Sequence, residues 1–452
     1  FGFGFFLSSL YWISISLTFD QNFKFLIPIT VILIPAFLGI FYGLVTLCFI
    51  ISRPKKTVSS FFSFSLFFGI FEFIRGSILT GFPWNLIAYS FSNHLEILSI
   101  TSFIGTYGFN LFCISLFASP AVYILRDTKK DIGVCIAFLI MPLLFYMYGL
   151  SYKERFNTSD IVSYNYKIRV IGSNISLDRF YSNIDPALVI NDLIEISEPT
   201  KNEKTIFVWP EGIIPEISQK EFFEYKWLFE KRFNKNHLLL IGINNQTTNK
   251  ESINYFNSLS IYDHNLELLD FYNKVNLVPF GEFLPFENTL KVLGLRSITN
   301  NYQSFSKGNE RKIMEINREG FSIKILPLIC YEIIYSGKIF TNPNFDLIIN
   351  ISEDGWFGNS IGPKQHFTHS IFRAIESGKY LLRSANNGIA AIINPLGIVE
   401  QKVEYGKSGY VDFKEAKNIQ QTLFTKYGNK IFIILILLYI FIIFSFNRIK
   451  NE

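Results

Sequence analysis

The sequence predicts a polytopic α-helical membrane unit joined to a water-soluble α/β domain. Hydrophobic residues make up 49% of the 452 residues and charged residues only 17%, which is below the roughly 25% usual in globular domains. The apolar residues are concentrated in long runs without charges, and a stretch of ordinary polarity, about 160–415, lies between the last two runs. Within that stretch, short apolar segments alternate with amphipathic ones, a pattern typical of α/β folds.

Six apolar runs are each about long enough to cross a hydrocarbon core of roughly 30 Å. They cover residues 2–18, 26–51, 60–79, 98–124, 132–150 and 430–446. The sequence therefore divides into N-terminal membrane helices over 1–155, a soluble domain over 160–415, and a last membrane helix with its tail over 428–452. Because the chain begins FGFGFF without a methionine or a basic leader, we expect earlier membrane helices to be missing from this sequence.

Lysine and arginine are concentrated in the loops Ser52–Thr57 and Arg126–Asp131 and in the tail after the last helix. Short cytoplasmic loops of membrane proteins carry an excess of these residues. Placing all three segments in the cytoplasm is consistent with every crossing between them, and it puts the soluble domain on the opposite side of the membrane. These segments explain the net charge of +5, and no basic patch indicates nucleic-acid binding.

The soluble stretch contains apolar runs that predict buried strands, with helices near 184–198, 218–233 and 366–378. The predicted strands cover 167–172, 204–209, 237–243, 257–263, 321–329, 345–352, 380–385 and 389–394. Strands that are apolar throughout, rather than alternating, predict a sheet covered on both faces. In such sheets, functional groups collect beyond the carboxyl ends of the strands.

Three polar side chains come just after predicted strands. Cys330 ends the run ILPLIC, Glu211 follows FVWP, and Lys274 stands in DFYNKVNL, whereas the other three cysteines lie in the apolar membrane segments. Together these groups suit nucleophilic catalysis, in which the carboxylate takes the thiol proton, the thiolate attacks a carbonyl, and the amine stabilises the anionic intermediate. Taken singly, each has a simpler explanation: an inert buried thiol, a turn carboxylate and an exposed surface charge.

The motifs WPEG, YNKVNLVPFGEFLP, LICYE and DGWFG occur in this order and resemble those of the nitrilase superfamily, whose catalytic triad is Glu-Lys-Cys. The long lysine motif K-x-x-L-V-P-F-G-E-F-L-P, set between membrane helices, resembles that of the bacterial apolipoprotein N-acyltransferases. The resemblance covers nearly the whole chain. It implies that the soluble domain is a nitrilase-like α-β-β-α sandwich that carries the catalytic site.

Residue by residue, the resemblance makes Glu211 the general base, Lys274 the lysine that stabilises the oxyanion, and Cys330 the nucleophile. Glu282 matches a second glutamate that supports the lysine and the transition state. Trp356 matches an aromatic residue near the substrate entrance.

The residues that follow the cysteine have implied roles as well. Tyr331 and Glu332 match positions that shape the pocket, and the backbone N–H of Tyr331 is a candidate second donor to the oxyanion. Four further polar residues match a segment that supports the site, although ordinary ion pairing is an equal interpretation of them. They are Arg373, Glu376, Arg383 and Asn386.

The sequence departs from the family pattern in two places. The family usually has Asn-Asp before the small residue and tryptophan, whereas here Glu353 precedes Asp354, and we expect the extra charge to lie near the entrance. The family typically has eight membrane helices, and the six predicted here keep the same parity.

The segment 278–302, which is apolar with Gly281 near its base, is expected to form a mobile lid.

The resemblance implies an acyltransferase of lipoprotein biosynthesis. Cys330 would take an acyl chain from a membrane phospholipid as a thioester and pass it to the N-terminal amine of diacylglyceryl-cysteine on an apolipoprotein, in two ping-pong steps. The enzyme would lie in the bacterial inner membrane with its catalytic domain on the periplasmic side. We expect no cofactor and no metal, because an ester-to-thioester-to-amide sequence runs downhill, and we expect a monomer that binds no nucleic acid.

Three other interpretations stay open at this point. A membrane-tethered nitrilase-type amidase would use the same triad with water as the acceptor and hydrolyse a C–N bond. A polytopic scaffold or transporter with an inert soluble domain would need none of the three polar strand ends. A catalytically inactive remnant is suggested by the N-terminus and by the high content of Phe, Ile, Asn and Lys.

Some single residues carry smaller expectations. Glu72 and Arg75 are three apart in a membrane segment, so we expect them to pair on one helix face. Trp84 is interpreted as an anchor at the membrane boundary. His366 and His369 lack a pattern that would complete a metal site, and they are interpreted as solvated or capping residues.

Overall fold

The chain forms a bundle of apolar helices that carries a twelve-stranded β-sheet domain. A computed structural model of the chain describes residues 1–248, 253–286, 292, 304–340, 342–417 and 419–448. The α-helices are α1 Gly2–Leu10, α2 Ile27–Ser52, α3 Thr57–Arg75, α4 Leu95–Leu98, α5 Thr101–Leu125, α6 Ile132–Asn157, α7 Pro186–Ser197, α8 Lys226–Phe229, α9 Gly362–Ser377, α10 Leu423–Tyr427 and α11 Lys430–Arg448. The strands are β1 Ile161–Ser173, β2 Thr205–Val208, β3 His237–Thr248, β4 Ile253–Asp263, β5 Leu268–Asn273, β6 Met314–Arg318, β7 Phe321–Ile329, β8 Leu347–Glu353, β9 Leu381–Asn386, β10 Ala390–Ile393, β11 Val399–Val403 and β12 Gly409–Lys417.

Five helical segments of the described chain are long and apolar enough to cross a membrane. They are Gln21–Ser52, Thr57–Arg75, Thr101–Leu125, Lys129–Asn157 and Lys430–Asn447. The first predicted segment, 2–18, is shorter, because α1 ends at Leu10 and a 3₁₀ helix continues to Thr18. Among the described residues, five of the six predicted segments therefore have the length of a full crossing, and the first is a shorter apolar segment. The indole N–H of Trp12 in that segment donates to Gln365 of the sheet domain at 3.0 Å, which ties the segment to that domain.

Helix α3 ends at Arg75, earlier than predicted, because the chain after it turns back over the helix end. The guanidinium of Arg75 donates from Nη1 to the carbonyls of Phe82, at 2.5 Å, and Trp84, at 2.9 Å. The expected pair on this helix is confirmed, since Arg75 Nη2 lies 2.6 Å from Glu72 Oε2 and both side chains are buried. The loop after α3 is thereby fixed against the end of the bundle.

The sheet has a parallel centre and antiparallel edges. Its strand order is β5-β4-β3-β2-β1-β9-β8-β7-β6, with β10 and β11 added beside β9 and β12 beside β1. The strands β3, β2, β1, β9, β8 and β7 are parallel to one another. All of the predicted strands are present, and the carboxyl ends of the central ones meet at a single edge of the sheet.

The two faces of the sheet pack against different partners, which makes the domain layered. Ile168 and Val170 of β1 share one buried core with Ile349 and Ile351 of β8, so the two halves of the sheet face each other across it. The alternate residues point outward: Ile171 packs with α7 and β2, whereas Leu326 and Ile348 pack with α9 and the membrane unit. The expected α-β-β-α sandwich is therefore confirmed.

Helix α9 covers the predicted 366–378 and begins slightly earlier, at Gly362. Its predicted glycine cap is also present, because Gly378 adopts φ +66° and its N–H donates to the carbonyls of Ala374 and Ile375. Glycine adopts this left-handed conformation without strain. A Cβ at this position would also lie 2.7 Å from Thr422. The cap therefore ends α9 just before β9.

The two basic loops lie together at one end of the bundle, and the sheet domain lies at the other. Thr57 donates from its backbone N–H to Asp127 at 2.7 Å and from its hydroxyl to the carbonyl of Leu125 at 2.7 Å. At the opposite end, the hydroxyl of Tyr331 donates to the carbonyl of Gly81 at 2.8 Å. Of the predicted lid over 278–302, residues 287–291 and 293–302 lie outside the described residues.

Candidate active site

Cys330 comes directly after β7, as the first residue of the 3₁₀ helix Cys330–Ile334. Its backbone adopts φ +46°, in the left-handed region that residues with a Cβ seldom occupy. Conformations of this kind cost about 1–3 kcal/mol and occur preferentially at functional sites. The abrupt turn delivers the buried thiol to the carboxyl edge of the parallel strands.

Glu211 lies at the same edge, three residues after β2. Its Oε1 accepts hydrogen bonds from Lys274 Nζ at 2.9 Å and from Asn257 Nδ2 at 2.7 Å. Its Oε2 accepts a hydrogen bond from the backbone N–H of Glu353 at 2.9 Å. These three bonds fix the orientation of the carboxylate without any substrate present.

Lys274 follows β5 and is only 1% exposed. Its Nζ lies 2.9 Å from Glu211 Oε1 and 2.9 Å from Glu282 Oε1. Burial alone would lower the pKa of Lys274, but the two carboxylates outweigh burial and raise the pKa above its ordinary value. The lysine is therefore a fixed cation between two acidic groups.

Glu282 supports this cation from the side opposite Glu211. Its Oε1 also accepts from Asn257 Nδ2 at 2.7 Å, and its Oε2 accepts from the backbone N–H of Val278 at 2.8 Å. Burial raises the pKa of Glu282, the charge of Lys274 lowers it, and the charge of Glu211 raises it again. Asn257 was not predicted from the sequence, yet its amide bridges both carboxylates.

Glu211, Lys274 and Cys330 line one cavity of about 1220 Å³. Glu282 and Asn257 line the same cavity. Its remaining walls are largely apolar and include residues of the membrane helix α2 as well as the loop after α3. They include Ile29, Leu33, Phe37, Phe41 and Phe82. Carboxylate, amine and thiol groups therefore line one cavity that is shared by the sheet domain and the membrane unit.

The thiol of Cys330 is a weak acid in this setting. Burial raises its pKa, the negative charge of Glu211 raises the pKa further, and the positive charge of Lys274 lowers it. Because the net direction is upward, the group is a neutral thiol at neutral pH and requires a base for ionisation. Glu211 is the carboxylate whose charge acts most strongly on the thiol, which suits it to that role.

Two protein-family models match the chain. Residues 1–119 match the apolipoprotein N-acyltransferase N-terminal domain, and residues 188–411 match carbon-nitrogen hydrolase. The apolipoprotein N-acyltransferase of Rhodopseudomonas palustris is 30% identical over 443 residues, which cover 95% of this chain and 81% of that protein. The chain belongs to the apolipoprotein N-acyltransferase family.

A second relative agrees with this assignment. The apolipoprotein N-acyltransferase of Rickettsia prowazekii is 31% identical over 465 residues, which cover 100% of this chain and 89% of that protein. A solved structure of an amidase variant from Nesterenkonia sp. AN1 aligns at a TM-score of 0.38 and 14% identity, covering 56% of this chain and 90% of that one. The resemblance predicted from the motifs, and the acyltransferase class with it, are confirmed by the family models and the relatives.

In this acyltransferase the two residues after the nucleophile face different ways. Tyr331 lines the cavity and is held by Gly81 of the membrane unit. The carboxylate of Glu332 is fully buried and accepts hydrogen bonds from Tyr272, from the backbone N–H groups of Val275 and Ile329, and from two other groups nearby. Glu332 therefore joins the turn of the nucleophile to the turn of the lysine, rather than lining the pocket.

Trp356 stands at the wall of the cavity, after β8, as part of an aromatic cluster. Its ring lies 5.0 Å from that of Phe180, 6.1 Å from Phe19 and 6.4 Å from Tyr181, measured between centroids. The cluster joins the 3₁₀ and loop region after α1 to two loops of the sheet domain. Trp356 thus lines the cavity, and its place near the entrance stays a prediction.

Glu353 lies at the wall of the cavity, as does Trp356, but its side chain adds no exposed charge there. The residue is 2% exposed, and its Oε2 pairs with Arg179 Nη2 and accepts from Asn386 Nδ2 at 2.7 Å. Its Oε1 accepts from the backbone N–H of Gly355 at 2.8 Å. Burial raises the pKa of Glu353, and Arg179 counteracts this effect. The charge is thus neutralised inside the domain by a residue far away in the sequence.

The two histidines are buried rather than solvated, which corrects the expectation for them. His366 lies between Asp354, with 2.8 Å from Nδ1 to Oδ1, and the carbonyl of Cys330, 3.3 Å from Nε2. Burial lowers the pKa of His366, and Asp354 partly offsets this. His369 contacts the hydroxyl of Tyr89 at 3.0 Å. His366 therefore holds the backbone of the nucleophile, a role that the sequence alone did not indicate.

The four polar residues predicted to support the site all make buried contacts. Arg373 donates to Thr106 of α5 at 2.6 Å, and Glu376 accepts from the same hydroxyl at 2.6 Å. Arg383 pairs with Asp354 at 2.8 Å, and Asn386 accepts from Ser173 and Ile175 and donates to Glu353. None of these four lines the cavity among the described residues, so they position the site from behind.

Trp84 is also placed differently from the expectation. It is 2% exposed and not an anchor at a membrane boundary, because its ring stacks on His366 at 5.5 Å and its indole N–H donates to Gln365 at 2.9 Å. Gln365 Oε1 accepts from Trp12 as well.

No group of three or more potential metal ligands occurs among the residues that the structure describes.

Proposed function

We propose that this acyltransferase takes an acyl chain from a membrane phospholipid onto Cys330 and passes it to the N-terminal amine of diacylglyceryl-cysteine on an apolipoprotein. Glu211 serves as the general base and acid, and Lys274 stabilises the oxyanion. Glu282 and Asn257 hold the lysine and the base in place. The lipoprotein acceptor and phospholipid donor follow from the family to which the chain belongs.

The observation that carries this proposal is the shared cavity. The thiol, the carboxylate and the ammonium open into a chamber whose other wall is the apolar face of α2. Ile29, Leu33 and Phe37 on that wall are about half exposed, so the chamber extends to the surface that a lipid bilayer would cover. A hydrocarbon chain can therefore reach the thiol without crossing water.

In the first step, Glu211 accepts the proton of the Cys330 thiol while sulfur attacks the ester carbonyl carbon. The oxyanion that forms is stabilised by the charge of Lys274 and by the backbone N–H of Tyr331. When the intermediate collapses, the carbon–oxygen bond breaks and Glu211 returns the proton to the departing alkoxide. The products are the thioester and a lysophospholipid.

In the second step, the free amine of the acceptor attacks the thioester carbonyl. Glu211 takes a proton from the amine, the carbon–sulfur bond breaks, and the proton returns to sulfur. The acyl chain leaves as an amide and the thiol is regenerated. Because the acyl chain is held on Cys330 as a thioester after the lysophospholipid leaves, the two substrates use the site in turn, which gives ping-pong kinetics.

The same proposal places the enzyme in the bacterial inner membrane with its catalytic domain, 160–415, on the periplasmic side. The membrane parts are 1–155 and 428–452. The bundle supports this orientation, because the loops Ser52–Thr57 and Arg126–Asp131 meet at the end away from the sheet domain. Basic loops of this length lie in the cytoplasm.

An amidase that hydrolyses a C–N bond would use the same triad, but the apolar wall of α2 does not favour it. A small water-soluble amide would leave most of that wall without a partner. Activity with water as the acceptor is the outcome that would support the amidase instead.

The test is intact-protein mass spectrometry of the purified chain after incubation with phospholipid and no acceptor, beside a Cys330→Ala variant. We expect a hydroxylamine-sensitive mass gain of one fatty-acyl group that is absent from the variant. Addition of a diacylglyceryl-cysteine peptide should then remove the adduct and acylate the peptide. A folded protein that forms no adduct and leaves the phospholipid intact would rule out the lipid-donor mechanism.

A further inference from the structure

A buried ion pair joins the loop that follows β1 to the last residue of β8, and its arginine also holds the loop that follows β2. Arg179 and Glu353 are 2% exposed or less, and Arg179 Nη2 contacts Glu353 Oε2. Buried ion pairs contribute little stability compared with apolar side chains of the same shape. A pair at this depth is therefore better explained by the geometry that it enforces than by the free energy of unfolding.

The guanidinium of Arg179 reaches each of these loops. Its Nη1 donates to the carbonyls of Ser176 at 2.8 Å and Ile175 at 3.3 Å, within its own loop after β1. Its Nε donates to the carbonyl of Ile213 at 3.1 Å, two residues beyond Glu211. Only arginine offers donors in a rigid planar fork of this kind.

On the other side of the pair, Glu353 controls the catalytic base through its own backbone. Its N–H donates to Glu211 Oε2 at 2.9 Å, and no other described residue donates to that oxygen. The other oxygen, Oε1, is held by Lys274 and Asn257. The position of residue 353 therefore determines the direction in which Oε2 of Glu211 points.

We propose that Arg179 and Glu353 are positioning residues for the acyl-transfer reaction. By locking the loop after β2 to the end of β8, the pair keeps the Glu353 N–H on Glu211 Oε2 and the base aligned with the thiol of Cys330. This inference deepens the proposed function and rests on the assignment of Glu211 as the base.

The pair also reaches the wall of the cavity. The guanidinium of Arg179 lies 4.6 Å from the centroid of the Phe180 ring, which packs against Trp356. Both aromatic side chains line the cavity. One arginine thus positions both the base and the aromatic wall of the cavity. Its loss should therefore reduce the reactivity of the thiol in addition to weakening lipid binding.

The test measures the alkylation rate of Cys330 by iodoacetamide, a small electrophile that needs the base but no lipid site. Sulfur displaces iodide and the thiol proton passes to Glu211. Removing the arginine in Arg179→Met should slow the reaction at least about tenfold, because small misplacements of catalytic groups cost up to about a hundredfold. Alkylation is assigned to Cys330 by peptide mass, which separates it from the other cysteines.

The partner variant gives the signature of a pair. Glu353→Gln breaks the ion pair but keeps an acceptor for Gly355, so it should also slow alkylation, by about fivefold, which is less than in Arg179→Met. The double variant Arg179→Met, Glu353→Gln lacks the ion pair just as Arg179→Met does, so we expect about the same slowing as in Arg179→Met alone. A double variant slowed by the product of the two single effects would overturn the proposed pairing.

Arg169→Met is the matched control, because Arg169 pairs with Asp412 through two bonds of 2.7 Å away from the cavity. It should lower Tm but leave the alkylation rate of the folded protein unchanged. If Arg179→Met behaves like this control, the pair is structural only and the inference fails. Glu211→Gln tests the assignment of the base separately from the role of the ion pair. Normal alkylation in that variant would overturn the assignment of Glu211 as the base.

Discussion

At the scale of single residues, the site depends on one buried cation between two carboxylates. Lys274 lies 2.9 Å from both Glu211 and Glu282, and burial makes each charge dependent on the others. In a region of low dielectric an unpaired charge is far more costly than a paired one. The lysine therefore acts on both the stability of the domain and the reaction.

Lys274→Met is expected to reduce the rate of thioester formation at least about 100-fold, the usual effect of removing one oxyanion donor. Tm should fall as well, because breaking a buried pair costs about 3–5 kcal/mol. Lys312→Met is the control, since Lys312 pairs with Asp270 at the surface and should change neither quantity. Thioester formation at the wild-type rate in Lys274→Met would contradict the assigned role.

Asp354 predicts how the stability of the domain responds to acid. Burial alone would raise its pKa, but Arg383 and His366 outweigh burial and hold the pKa below its ordinary value. A carboxyl group with a lowered pKa in the folded state contributes stability above the unfolded value of about 3.9. That contribution is lost as the pH falls through the folded value.

The difference in Tm between the wild type and Asp354→Asn should therefore shrink as the pH is lowered from 6 toward 3. This range includes the ordinary pKa of an aspartate carboxyl group, about 3.9. Thermal unfolding in detergent across this range measures it, and comparing the two proteins cancels the effect of all other carboxyl groups. A difference that stays constant or widens in acid would show that Asp354 does not carry this contribution.

The sequence predicted three candidate reactive residues and Glu282 beside the lysine, but not the other groups that hold them. Glu211, Lys274 and Cys330 are recognisable because each is a polar residue just after an apolar strand. Asn257 lies inside a strand, and Glu353 looks like one more surface carboxylate. Nothing in their local sequence reveals that one bridges two carboxylates and that the other pairs with Arg179.

At the scale of elements, helix α9 connects the nucleophile to the membrane unit. His366 holds the carbonyl of Cys330, and Gln365 accepts hydrogen bonds from the indoles of Trp12 and Trp84. Trp12 belongs to the short segment after α1, and Trp84 to the loop after α3. One turn of α9 therefore fixes two membrane-unit segments against the catalytic turn.

Gln365→Ala should lower Tm, because Trp84 loses its hydrogen-bond partner and a buried unpaired donor costs about 1–3 kcal/mol. Trp12 keeps a second partner, the carbonyl of Ser9 at 3.1 Å, so its contribution to the loss is smaller. Gln401→Ala removes an exposed glutamine that donates to Asp412 and serves as the control. Equal thermal unfolding of both variants would show that the contact with Trp84 is not stabilising.

Element types followed from the sequence more closely than element ends did. The strands were predicted because a run buried on both faces must be apolar at every position. Helix ends differ where contacts distant in sequence intervene: α3 stops at Arg75, whose guanidinium holds the chain that turns back over it. The segment 2–18 likewise loses its regular helix where Trp12 contacts the sheet domain.

At the scale of the whole molecule, the cavity belongs to neither part alone. Its reactive groups come from the sheet domain and its apolar wall from α2 and the loop after α3. The contacts of Tyr331 with Gly81 and of Arg373 with Thr106 hold the two parts in register. The orientation of the bundle therefore also decides on which side of the membrane the chemistry takes place.

The orientation can be tested with single cysteines, introduced one at a time into a background in which all four native cysteines are replaced by serine, and a maleimide that does not cross membranes. Lys231→Cys, on the exposed surface of the sheet domain, should react in cells whose inner membrane is intact. Lys55→Cys and Lys129→Cys, in the basic loops, should react only after permeabilisation, because such loops lie in the cytoplasm. The reverse pattern would refute the periplasmic placement.

The sequence by itself determined the class of the protein and the order of its elements, and it singled out the candidates for its reactive residues. These follow from local features: the length of an apolar run, the alternation of strands and the motif at the end of each strand. Only the tertiary structure decided that Arg179 meets Glu353 across 174 positions, that His366 and Trp84 are buried together, and that α2 walls the cavity. The physical reason is that hydrophobic partitioning acts on neighbours in sequence, whereas the pairing of distant polar groups depends on strand register and packing, which form only in the folded chain.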